Sequence, residues 1–290
     1  MVDVSTVDAA RPDPASSVPT EGDRPRSLQR RDLAVLFVAF WVLGACWSLM
    51  TPVMGSYDEP AHAVKAVSIW HGQLRGKRIE VPGQASEAAM NLVDVVEVPA
   101  DYATLQGIHG CFVVDGRTPD CARDVDHNRA LVKGFTSAGP YPPLYYVLVG
   151  WPSRIFDAPA GVYAMRIVSA GWIALFVAIA AAGASLVMAR RALVAVTMAA
   201  AVPMLWFLGG SINPNGLECA AALAMWMTWS AWWQSSRPSR RCPGWLPPAA
   251  LASAAVLAGC RSLSPAFMLA IAALTWIVER PRPRTVRHFY

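Results

Sequence analysis

Charge is scarce in this sequence, and scarcest in its second half. Asp, Glu, Lys and Arg make up 16% of the 290 residues, against about a quarter in soluble domains. Most of the acids sit in residues 1–32 and 55–140, and the stretch 167–278 holds very few charges. A soluble domain spreads charge over its whole surface. A membrane protein confines it to loops, because a charged side chain at the bilayer centre costs roughly 2.5–3.5 kcal/mol or more. Cysteine is sparse too: the six residues show no CxxC or CxxH spacing, so no zinc module is expected, and no metal ligand is assigned. A basic amphipathic face is also missing. The net charge of +5 comes largely from Arg clusters beside hydrophobic runs, and no nucleic-acid partner is expected.

Long apolar runs are what the sequence does have. Residues 1–32 are rich in Pro, Ser, Asp and Arg without an apolar period and read as a disordered cytoplasmic tail. A first span follows at 33–54. It exceeds the roughly 7–15 apolar residues of a signal peptide and is long enough to cross a ~30 Å hydrocarbon layer. Further spans read at 167–189, 192–210, 217–233, 245–260 and 262–278, ahead of a basic tail at 279–290. With the N-terminus inside, six crossings put Arg190–Arg191, the group Arg237, Arg240 and Arg241, and the C-terminal arginines on the cytoplasmic side, as the positive-inside rule requires. The expected fold is therefore an all-α, multi-pass cell-membrane protein of about six transmembrane helices. Its extracytoplasmic first loop, 55–166, is large.

Within that loop, the segment AHAVKAVSIWHGQL places Val64, Val67 and Leu74 at helical spacing and could lie on the membrane surface. Residues 92–132 contain β-like pieces, VDVVEV and CFVV. The segment YPPLYYVLVGWPSRIF is short and aromatic and reads as an interfacial helix. Cys111 and Cys121 lie together on the oxidising side and are expected to form a disulfide, since the other four cysteines fall in spans or inside.

Several residues could carry chemistry. Asp58 and Glu59, just past the first span, could act as a general base or hold a divalent cation; equally, acids ahead of Pro60 suit a helix start. His62 shares a helix face with them. Tyr141 and Tyr145 flank a Pro-Pro-Leu segment and could stack on a sugar or form an aromatic belt. Asn213 and Asn215 form a polar turn that reads as ligand contact or as a helix cap. Glu218, an acid near a span end, calls for a partner. Arg261 could meet that need, or bind a lipid phosphate.

The segments SYDEPAH (56–62), YPPLYY (141–146) and NPN (213–215) together resemble the bacterial membrane proteins grouped as domain of unknown function 2142. More distantly, the chain resembles the GT-C superfamily of glycosyltransferases. The resemblance covers roughly residues 33–278. It implies a catalytic acid at the start of the first outer loop, Asp58 or Glu59, and a polyprenyl-phosphate-linked sugar as donor. It also implies a basic residue for the donor phosphate, here Arg261, and a cavity bordered by the helix at Tyr141–Tyr146. Six spans are fewer than GT-C enzymes usually carry, which fits a truncated chain or one that keeps only the donor-facing half. The alternatives are a non-catalytic membrane protein binding a lipid-linked glycan or a protein partner, and a transporter. The scarcity of intramembrane charge argues against the transporter. Membrane lipids are expected partners in every case; no cofactor is indicated.

Overall fold

The computed structural model describes residues 27–80, 92–109, 127–189, 202–236 and 242–280, with Val125, Leu193 and Thr197. Most of both predicted tails, the arginines at 190–191 and 237–241, the CFVV piece and the Cys111–Cys121 pair lie outside these residues.

A bundle of apolar helices forms one half of the molecule. Helix α1 (Arg30–Met50) and the 26-residue α5 (Ala160–Ser185) are both long and apolar enough to cross a membrane. They differ in surroundings. α1 exposes Val35, Val38, Trp41 and Leu49, whereas most of α5 is buried. Helices α6 (Pro203–Gly209), α7 (Pro214–Ser235), α8 (Leu246–Cys260) and α9 (Ser264–Glu279) complete the described bundle. Small residues set the closest approach of α5 and α7. A Cβ on Gly183 would stand 2.9 Å from the Thr228 backbone nitrogen, so the two helices meet backbone to backbone, as small residues allow in membrane bundles.

The ends of these helices sort into two levels. At one, Leu28 N–H donates to Ser185 Oγ and Gln234 Nε2 to Glu279 Oε1. At the other lie the end of α1, the start of α5, the turn before α7 and the α8–α9 connection, joined by the contacts described below. Residues 28 and 279 are thus at the same level, opposite the first loop.

That loop folds into a small domain rather than an all-helical one. A three-stranded antiparallel sheet, β1 (Lys77–Glu80), β2 (Leu92–Pro99) and β3 (Leu131–Thr136), has β2 in the middle. β2 contains the VDVVEV alternation, with Asp94, Val96 and Val98 turned inward. Helix α2 (Glu59–Trp70) is the domain's core. Ten of its twelve residues are buried, against β2, β3, α3 (Ala100–His109), α4 (Leu144–Val149) and a 3₁₀ turn (Trp151–Arg154). The helix expected at the membrane surface is instead enclosed on all sides. Its few polar groups find internal partners, which removes the polar face a surface helix would need.

The α5–α7 contact is testable. Gly183→Ala is expected to lower stability by about 1–3 kcal/mol, since backbone cannot yield to the new methyl. Gly107→Ala, in open space on α3, is expected to raise it by roughly 0.5–1 kcal/mol through helix propensity and unfolded-state entropy. Thermal unfolding in one detergent distinguishes them; equal behaviour of the two variants contradicts the close approach.

Candidate functional site

The loop end of the bundle is organised by an arginine and a glutamate that are both wholly buried, Arg166 on α5 and Glu59 on α2. Arg166 Nε donates to Glu59 Oε1 at 2.7 Å and Nη2 to Oε2 at 2.5 Å. The remaining N–H groups go to three carbonyls: Nη1 to Ser48 (3.0 Å) and Thr51 (2.7 Å), Nη2 to Pro52 (2.8 Å). All five guanidinium donors are therefore used. Glu59 Oε1 also accepts Ile212 N–H at 3.0 Å. The carbonyls at the end of α1 have no helical partner of their own, and a cation there also suits the negative end of the helix dipole.

Between α1 and α2 the chain makes a tight turn, with Gly55 N–H donating to Pro52 carbonyl at 2.9 Å. Met54, fully buried, takes φ = 57° inside it, a left-handed conformation that costs a non-glycine residue about 1–3 kcal/mol. The Arg166 bonds to Thr51 and Pro52 hold this turn in place. Asp58 comes just after it. It occupies the N-cap position of α2 but makes no capping hydrogen bond, and it is exposed. The two neighbouring carboxylates thus have different surroundings: Glu59 is enclosed in an ion pair, and Asp58 is open.

A second cluster stands one turn along α2. His62 Nδ1 lies 2.8 Å from the Tyr146 hydroxyl, and its ring stacks on Tyr141 at 5.5 Å between centroids. The Arg261 guanidinium sits over the other partner, 5.6 Å from the Tyr141 ring centre. Arg261 also reaches Glu218 Oε2 at 3.4 Å, while Ser264 donates to Glu218 Oε1 at 2.5 Å. The side chain of Arg261 stays 34% exposed, so part of its guanidinium remains open. Burial, with the Arg261 charge second, pushes the His62 pKa down to about 4, and the imidazole is neutral near pH 7. Burial likewise raises the Tyr146 phenol well above its ordinary value, leaving it protonated.

The structure therefore joins His62, Tyr141, Glu218 and Arg261 into one cluster. Tyr145 lies behind it, fully buried, its hydroxyl 3.0 Å from Ser169 Oγ on α5. Asn213 caps α7, its side chain accepting Asn215 N–H at 2.9 Å. Asn215 Oδ1 is buried with no partner among the described residues. Among the described residues, no three His, Cys, Asp or Glu side chains converge as a metal would need. Reading the sequence misses Arg166, which ends the predicted loop one residue before the predicted span. Its signal is an arginine set among apolar residues, GVYAMRIVSAG, where a charge is rare without a partner.

His62 gives a pH dependence. A histidine whose folded pKa is depressed stabilises the fold above its unfolded value of ~6.5, and that contribution is lost as pH falls toward 4. A shift of this size is worth on the order of 3 kcal/mol by pH 4. Wild type is expected to lose thermal stability from pH 7 to 4.5 more steeply than His62→Gln, which cannot titrate. Parallel curves for the two proteins contradict the assignment.

No curated protein and no solved structure matches this chain. The family model described as a predicted membrane protein, DUF2142, matches residues 40–287. That match spans most of the sequence, including both clusters at the loop end of the bundle, and the chain belongs to the DUF2142 family of predicted membrane proteins.

Proposed function

We propose that this protein transfers a sugar from a polyprenyl-phosphate donor at the outer face of the cell membrane. The observation that carries the reading is the cluster of a part-exposed arginine with an aromatic pair at one end of an apolar bundle, with an open carboxylate, Asp58, one helical turn before His62. Each would have a role. Arg261, braced by Glu218 and Ser264, would bind the donor phosphate and stabilise its charge as it leaves. Tyr141, part-exposed, would border the sugar, and the buried His62 stacked against it would hold its ring in place. Asp58 would orient or deprotonate the acceptor hydroxyl as it attacks the anomeric carbon. A phosphate leaving group needs little acid assistance, so a single base can suffice. Glu59 would position Asp58 through the Arg166 tie without exchanging protons, because its carboxylate is already committed to three donors.

A binding protein for a lipid-linked glycan is the second reading, and the engagement of Glu59 favours it: only Asp58 of the acidic pair is left for catalysis. The experiment separates the two. Asp58→Asn is expected to keep the fold and donor binding and to lower turnover by roughly 10²–10⁴. Arg261→Gln is expected to weaken donor binding by about ten- to hundredfold. The assays are glycan extension in cells lacking the native gene and binding of polyprenyl-phosphate sugar to protein in nanodiscs. If Asp58→Asn restores extension fully while Arg261→Gln fails to bind, the binding reading replaces transfer.

A further inference from the structure

The loop domain carries a cavity apart from the His62–Arg261 cluster. Its volume is about 370 Å³, and its walls are Arg75, Gly76, Arg78, Asp94, Gly139 and Pro140. This falls within the ~300–1,000 Å³ range of small-ligand sites. Charge around it is unbalanced. Arg75 and Arg78 are both exposed, and Asp94, the single carboxylate among the described wall residues, accepts Arg78 Nε–H on Oδ1 at 3.0 Å. Behind the wall lies Lys65 of α2, wholly buried. Its Nζ donates to the carbonyls of Leu74 (2.6 Å) and Gly139 (3.2 Å), both neutral. Among the described residues, three cations therefore share one carboxylate.

A buried ammonium without its own counter-charge is costly. Burial is the main cause lowering the Lys65 pKa, with nearby Asp94 working against it. The packing leaves no slack: a Cβ at Gly139 would collide with the Asp94 carboxylate, so this wall is fixed by the absence of a side chain. An oxyanion entering the cavity would supply the missing negative charge to two guanidinium groups and reduce the cost of the third cation.

We propose that this cavity is a second binding site, for an oxyanion: the phosphate or carboxylate of a small acidic ligand. The two sites are neighbours by construction. His62 and Lys65, three residues apart, share a face of α2, and Gly139, Pro140 and Tyr141 run from the wall of the anion cavity to the stacked ring of the first cluster. An acidic sugar held at Arg75 and Arg78 would belong to the acceptor. That last assignment rests on the transfer reading above; the anion site does not.

The test uses full-length protein in nanodiscs, titrated calorimetrically with glucuronate, glucose 1-phosphate and neutral glucose. Saturable binding of either anion, with glucose much weaker, is expected. Arg75→Glu, an exposed substitution, is expected to weaken the anion by about ten- to hundredfold, and Arg78→Gln to weaken it as well. Preference between the two anions identifies a carboxylate or a phosphate ligand. Absence of saturable anion binding, equal binding of glucose, or unchanged binding by Arg75→Glu overturns the site. Loss of transfer in Asp58→Asn with anion binding intact bears on the transfer reading alone; failed anion binding in a protein that still transfers sugar removes only this site.

Discussion

One buried ion pair holds the loop end of this protein together. Taking Arg166 and Glu59 out of water is expensive, of the order of several kcal/mol per ion even after relaxation. The arrangement offsets that cost with a complete set of bonds: five N–H groups each meet an oxygen, and the carboxylate takes a further N–H from Ile212. In consequence four chain segments converge on one point. They are the end of α1, the strained turn at Met54, the start of α2 and the turn before α7. None of these contacts is local, since Arg166 and Glu59 are 107 residues apart.

This tie explains why the acidic pair divides its roles. Glu59 is at the first position of α2, where a negative charge suits the helix dipole, and the helix direction carries its side chain inward to Arg166. Asp58, one residue earlier, sits outside the helix and points to solvent. Its position is set by the same turn that Arg166 fastens through Thr51 and Pro52. One turn later on the same helix, His62 reaches the aromatic cluster, and Lys65 reaches the wall of the anion cavity. α2 is thus the rod on which the open carboxylate, the neutral imidazole and the buried ammonium are spaced, and its burial keeps those distances fixed.

Much of this was legible in the sequence where the signal is local. The VDVVEV alternation marks β2, the apolar runs mark the long helices, and Asn213 ahead of Pro214 marks a helix cap. Glu218 announced that it needed a partner, and Arg261 and Ser264 supply one. The unread part depends on contacts distant in sequence. Val64 and Val67 give α2 a helical stripe, but nothing in that stripe says that the polar positions beside it, Lys65 and Ser68, are buried as well. Strands β1 and β3 are short and lack a clean alternation, so they become visible only beside β2. Arg166 stood at a predicted boundary, where a basic residue passes for an interfacial anchor until its five partners are seen.

The central claim is that the pair acts as a unit, and a double-mutant cycle measures this directly. Glu59→Leu and Arg166→Met, each alone, leave an unpaired buried charge and are expected to cost about 3–5 kcal/mol of unfolding free energy in detergent. The double variant removes both charges and is expected to cost less than either single change. Mild single effects that simply add in the double variant would contradict the account, because the loop end would then be held by something other than this pair.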